Sequence, residues 1–211
     1  TGGHLASNLG SVELTMALHL TMNLPEDKII WDVGHQAYTH KLLTGRKEGF
    51  STLRQFQGMS GFPKRSESPC DAFDTGHSST SISAGLGYVH AREIQKQDYK
   101  VVSVIGDGSM TGGMAFEALN NSADLKTNFI IVLNDNKMSI SENVGAFAKY
   151  LAVIRSRPEY YSFKARTESV ISKLPFGDRL ATKIYNLATV IRNKLYTQST
   201  FFEDLGYRYM G

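Results

Sequence analysis

The chain has 211 residues, 41% of them hydrophobic and 20% charged, with a net charge of +3. Such proportions belong to a globular protein with a sizeable core, and a charge so near neutral gives no footing for nucleic acid. No apolar run reaches the ~18 residues of a membrane span, and a single cysteine, Cys70, excludes an internal disulfide and suits a reducing, cytoplasmic setting.

In chain order, residues 11–24 are predicted to form a helix, with Leu14, Ala17, Leu18 and Met22 on one face and Pro25 beyond its end. "KIIWDVG" (28–34) reads as a short buried strand, "HQAYTHKLL" (35–43) as a helix, and 79–96 as a second amphipathic helix carrying Ile82, Leu86 and Val89. "YKVVSVIG" (99–106) and "TNFIIVLN" (127–134) are continuous apolar runs, as expected for strands buried on both faces of a parallel sheet. The stretch 113–125 between them supplies the crossover helix of a βαβ unit. Strands alternating with helices predict an α/β fold: a doubly wound, mostly parallel sheet with helices on both faces.

Beyond residue 140 the pattern changes. Basic residues outnumber acidic ones nine to three between Arg155 and Lys194, but they are scattered, as on a solvated face. A helix is expected at 178–196, where Leu180, Ile184, Leu187, Ile191 and Leu195 form a stripe, within a mobile, partly helical insert of about 141–200. The chain opens at Thr1 inside a glycine-rich stretch and closes at "GYRYMG", which reads as a strand under way. The expectation is one domain, 1–211 with its core in 1–140, cut at both ends from a longer chain.

The chemistry starts at "VIGDGSMTGG" (104–113). A strand running into a glycine turn and a helix is a phosphate cradle, because the free N–H groups and the positive end of the helix favour anions. Asp107, between Gly106 and Gly108, would repel a bare phosphate; a divalent cation between the two resolves the conflict. The next apolar run ends in "NDN", so Asn136 is expected at the same sheet edge. Asp107, Asn136 and a nearby backbone carbonyl make an incomplete oxygen octahedron of the kind Mg²⁺ completes with phosphate and water. The dinucleotide and Walker glycine patterns both fail here.

Glycine also precedes His4, His35 and His77. Each alone reads more simply as a loop residue, but three together favour a shared cleft in which a histidine donates to phosphate or moves a proton. In "TGHSSTSIS", His77, Ser78 and Ser79 open a helix and could give donors to the same anion. His19, His40 and His90 read as structural, and the histidine spacings do not suit zinc.

"GDG" followed by "NDN" resembles the thiamin diphosphate motif of the transketolase superfamily. The longer blocks "GGHLASNLGSVELTMALH", "WDVGHQAY", "GHSSTSISAGLG", "GDGSMTGGMAFEALNN" and "LNDNKMSISENVGA" resemble the branch of it that joins pyruvate to D-glyceraldehyde 3-phosphate. That resemblance is dense over residues 2–147 and resumes at 201–211. It implies thiamin diphosphate and Mg²⁺ as cofactors, pyruvate and D-glyceraldehyde 3-phosphate as substrates, and a homodimer. By position it gives the metal to Asp107, Asn136 and the Met138 carbonyl. The cofactor falls to Gly106, Gly108 and Ser109 on one side, Gly76, His77 and Ser78 on the other, and Asn136. His35 lies near the thiazolium, and His4 is the candidate for proton transfer at the substrate carbonyl.

The resemblance places an activating glutamate in a second domain, and none of the glutamates here sits in a matching motif. The chain alone is therefore expected to bind cofactor without turnover. Two rival readings stay open: the N-terminal subunit of a split transketolase-like enzyme, and a non-catalytic Mg-phosphate binding module.

Overall fold

A strand such as Val101–Ile105, apolar at nearly every position, has to be covered on both faces, and parallel pairing with helical crossovers is how chains achieve this. A computed structural model describes residues 2–125, 127–135, 146, 149–150 and 200–210. The chain divides into two compact units, Thr1–Ala148 and Lys149–Gly211.

In the first unit, β1 (Lys28–Trp31), β2 (Val101–Gly106) and β3 (Ile130–Asn134) form a parallel sheet in that order. Ile29 pairs with Val102, Trp31 with Val104, and Val104 with Val132. Alternation along the strands then sorts the core. Ile29, Trp31, Val102 and Val104 pack with Leu14, Leu18 and Met22 from around α2 (Val12–Thr21) and with Ala37 before α3 (Tyr38–Leu43). On the opposite face Ile30 and Val101 pack with Ala84, Tyr88 and Val89 of α4 (Ser81–Gln95), beside which lies α5 (Gly113–Ala123). The α/β fold with helices on both faces of a parallel sheet is as predicted.

The boundaries differ for physical reasons. The expected helix 11–24 is α2 alone, separated at Gly10 and Ser11 from a preceding short helix, α1 (Leu5–Leu9). β1 stops at Trp31 because Val33 (φ 58°) and Gly34 (φ 87°) are left-handed and turn the chain. The ends of α4 are set likewise by Ser79 (φ 68°) and Lys96 (φ 53°). Strand β3 is half-buried, not covered on both faces as expected, with Ile130 52% exposed; among the described residues it is one of the sheet's two edge strands, β1 being the other.

In the second unit the predicted strand at the end of the chain is absent from residues 207–210. There Thr200 and Glu203 form a reciprocal capping box that starts α6 (Phe201–Asp204). Gly206 (φ 98°) ends it, and the tail folds back so that Tyr209 stacks on Phe202 at 5.7 Å. The helix expected at 178–196 lies outside the described residues, as does the expected insert apart from residues 146, 149–150 and 200.

Candidate active site at the carboxyl edge of the sheet

Parallel strands send their carboxyl ends the same way, so the segments that follow β1 and β2 meet at one edge. Asp32 follows β1 at 1% exposure. Its Oδ1 accepts the Ser79 N–H at 2.8 Å and its Oδ2 the Ser81 N–H at 3.0 Å. The N-terminus of α4, which Thr80 does not cap with its own side chain, is thereby capped from a distant strand. Ser79, counted from sequence among the donors to an anion, has its N–H committed to Asp32; the lead-in residues Gly76, His77 and Ser78 are exposed.

The Ser79 hydroxyl then donates to the carbonyl of Ser109 at 2.7 Å, which fastens the α4 lead-in to the turn after β2. In that turn Gly106, Asp107 and Ser109 are half-buried and Gly108 is exposed. Three segments carrying predicted site residues are therefore brought together: His35 after β1, Gly76–Ser78 before α4, and Gly106–Ser109 after β2.

The N-terminal loop is fixed to the same edge by Asn8, which is 6% exposed. Its Nδ2 donates to the His4 and His35 carbonyls at 3.1 and 2.8 Å, and its Oδ1 accepts the Tyr38 N–H at 3.0 Å, capping α3. The His4 and His35 rings meet edge to face at 6.2 Å between centroids. Burial first, then the charges of His4 and Arg54, hold the His35 imidazole below its ordinary range against the opposing pull of Asp32. A neutral His35 at pH 7 can accept or donate.

Among the described residues, five buried side-chain atoms have no partner within the protein: Trp31 Nε1, His35 Nδ1, Gln36 Oε1, Thr75 Oγ1 and Ser81 Oγ. All belong to residues 31–36 or 75–81, the two segments that Asp32 ties together. Buried polar groups are ordinarily satisfied, so the partnerless His35 Nδ1, next to the cradle segments, suits a polar contact. The cradle is also open where glycine stands: a Cβ at Gly76 would meet no atom within 4 Å. Exposed backbone donors around a carboxylate-bearing turn suit an anion bridged by a hard cation.

Asn136 and Met138, the other predicted metal ligands, lie outside the described residues. Among those described, no group of three His, Cys, Asp or Glu residues could hold a metal ion by itself.

A family model described as 1-deoxy-D-xylulose-5-phosphate synthase matches residues 1–211. The chain belongs to the 1-deoxy-D-xylulose-5-phosphate synthase family. It is 60% identical to the curated family member from Lachnoclostridium phytofermentans, 57% to that of Alkaliphilus oremlandii and 56% to that of Clostridium acetobutylicum, over its entire length in each case. It spans 34% of the length of these synthases. A transketolase from Pichia stipitis is similar to 58% of the chain at 23% identity with a TM-score of 0.48, the match covering 22% of that protein.

Sequence reasoning singled out the turn at Asp107 and the three histidine loops. It missed Asp32 and Asn8, the two side chains that hold those loops. The one signal for Asp32 was a carboxylate directly behind the buried strand "KIIW". For Asn8 there was none, because the two partners through which it ties the loop to the sheet edge lie 27 and 30 positions away.

Proposed function

We propose that this chain is the diphosphate- and magnesium-binding part of an enzyme that decarboxylates pyruvate and transfers the two-carbon unit to D-glyceraldehyde 3-phosphate. The product is 1-deoxy-D-xylulose 5-phosphate, at the head of the non-mevalonate isoprenoid route. The observation that carries the reading is that Ser79 fastens the Gly76–Ser78 lead-in to the Gly-Asp-Gly turn, at the sheet edge where buried His35 Nδ1 has no partner within the protein. The high identity to the curated synthases supports it.

Thiamin diphosphate, when bound, supplies the carbanion chemistry that amino-acid side chains lack. Around it, Asp107, Asn136 and the Met138 carbonyl hold Mg²⁺. Gly106, Gly108 and Ser109 offer backbone contacts to the diphosphate, and Gly76, His77 and Ser78 close the other side. Neutral His35 contacts the cofactor, and His4 moves a proton at the substrate carbonyl. The intact protein works as a cytoplasmic homodimer and takes its activating glutamate from outside residues 1–211.

Calorimetric titration of the full-length protein with thiamin diphosphate, with and without Mg²⁺, tests this directly. Magnesium-dependent binding that Asp107→Ala abolishes is the expected result. Binding indifferent to both metal and substitution overturns the site.

A further inference from the structure

We infer that Ser79 is a positioning residue that sets the spacing between the two walls of the diphosphate cradle; this rests on the cofactor reading above. The inference comes from the bonding of one small side chain. Ser79 is 8% exposed, and its backbone is left-handed at φ 68°, a conformation that a residue with a Cβ adopts only when its surroundings impose it. Two bonds impose it here. Its N–H is held by Asp32 at 2.8 Å, and its hydroxyl donates to the Ser109 carbonyl at 2.7 Å.

The contact with the second wall is also steric. A Cβ placed on Gly112 would lie 2.1 Å from Ser79 Oγ, so the chain after Ser109 approaches Ser79 as closely as a glycine backbone permits. Ser79 thus touches β1's follower Asp32, the lead-in Gly76–Ser78 that it directly continues, and the turn Gly106–Ser109. It contacts all three cradle segments while leaving no donor of its own for the anion. Its hydroxyl hydrogen fixes the Ser109 carbonyl, and with it the orientation of the peptide plane joining Ser109 to Met110.

A buried neutral hydrogen bond of this kind, lost from a preorganised site, is worth about tenfold in affinity. The test uses the full-length protein and two substitutions. Ser79→Ala removes the hydroxyl and keeps the strained backbone; Ser79→Gly removes the hydroxyl and relieves the strain. Both are expected to weaken Mg²⁺-thiamin diphosphate binding about tenfold by calorimetry.

The melting temperature without cofactor should fall for Ser79→Ala and be restored by Ser79→Gly, which separates backbone strain from cradle geometry. Affinity that recovers in Ser79→Gly along with stability would overturn the inference, since Ser79 would then act on the fold alone. Parent-like affinity in both variants would overturn it too. Asp107→Ala, run alongside, distinguishes the failures: if it abolishes binding while the Ser79 variants bind normally, only Ser79 is misassigned. If Asp107→Ala binds normally, the cradle itself is misplaced.

Discussion

Two polar regions of the first unit are built on opposite rules. On α3, buried His40 donates its Nε2–H to Asp71 at 3.0 Å and meets His19 through Nδ1 at 2.9 Å. Arg46 clamps both oxygens of Asp71 at 2.6 and 2.8 Å, and fully buried Lys41 pairs with Glu67 at 2.5 Å. Each of these charges has an opposite charge or hydrogen-bond partner within the protein. At the carboxyl edge, by contrast, His35 Nδ1 and Thr75 Oγ1 are buried without a partner within the protein. Completed networks rigidify a fold, whereas incomplete ones cost stability and persist where a ligand uses them.

The largest test of this contrast is Asp71→Ala. It would leave His40 and Arg46 without the carboxylate they share and the Lys64 N–H without its 2.7 Å acceptor. Removing one partner from a buried charged cluster costs about 3–5 kcal/mol. Chemical denaturation should show that loss, while cofactor affinity, measured where the variant is still folded, changes by less than about threefold. An affinity that falls in step with stability would show that the regions are one unit.

Thr75→Val probes the other region with the opposite sign. The Thr75 hydroxyl is buried without a partner, and a Cβ on Gly34 would come within 2.1 Å of it, so the hydroxyl is pressed against the β1 turn. Replacing an unsatisfied hydroxyl by a methyl of similar shape should raise the stability of the cofactor-free protein by about 1 kcal/mol. The stabilisation conferred by thiamin diphosphate should shrink. Melting curves with and without cofactor measure both, and a less stable cofactor-free variant would mean that the hydroxyl is satisfied after all.

What could be read from the sequence was whatever is written locally. The apolar run 101–105 identified β2, and the glycines around Asp107 marked its turn, because burial and backbone freedom leave their signatures within a few residues. The terminal "GYRYMG" misled for the same reason. Its aromatic content imitates a strand, while the more specific local signal, the Thr200-Phe-Phe-Glu203 capping box, stood just upstream. The half-burial of β3 depends on which neighbours a strand acquires, and the anchoring by Asn8, Asp32 and Ser79 depends on side chains reaching distant backbone. Neither has a periodicity to detect.

The smallest predicted effect is a pH dependence confined to the completed network. Burial, then the charge of neighbouring His40, lowers His19 from 6.5 to about 4. Because a carboxylate only accepts, it is His40 Nε2–H that donates to Asp71, leaving Nδ1 to face His19 Nε2. Around this pair stand Asp71, Arg46 and Lys41, with Glu67 on Lys41.

In the unfolded chain His19 takes a proton near pH 6.5, whereas in the fold it resists until about pH 4. Its contribution to stability is therefore complete above pH 6.5, declines as the pH falls through that window, and is gone below it. After discounting for partial exposure it amounts to about 1 kcal/mol, or a fall of a few degrees in melting temperature. Asp71 is also held well below its ordinary range and adds its own loss, but only in the more acid region below the unfolded carboxylate value. His19→Gln should flatten the decline between pH 6.5 and 4 and leave the steeper loss below it. An unchanged decline would move its origin to His35, where burial also lowers the imidazole; saturating thiamin diphosphate should then shift the decline.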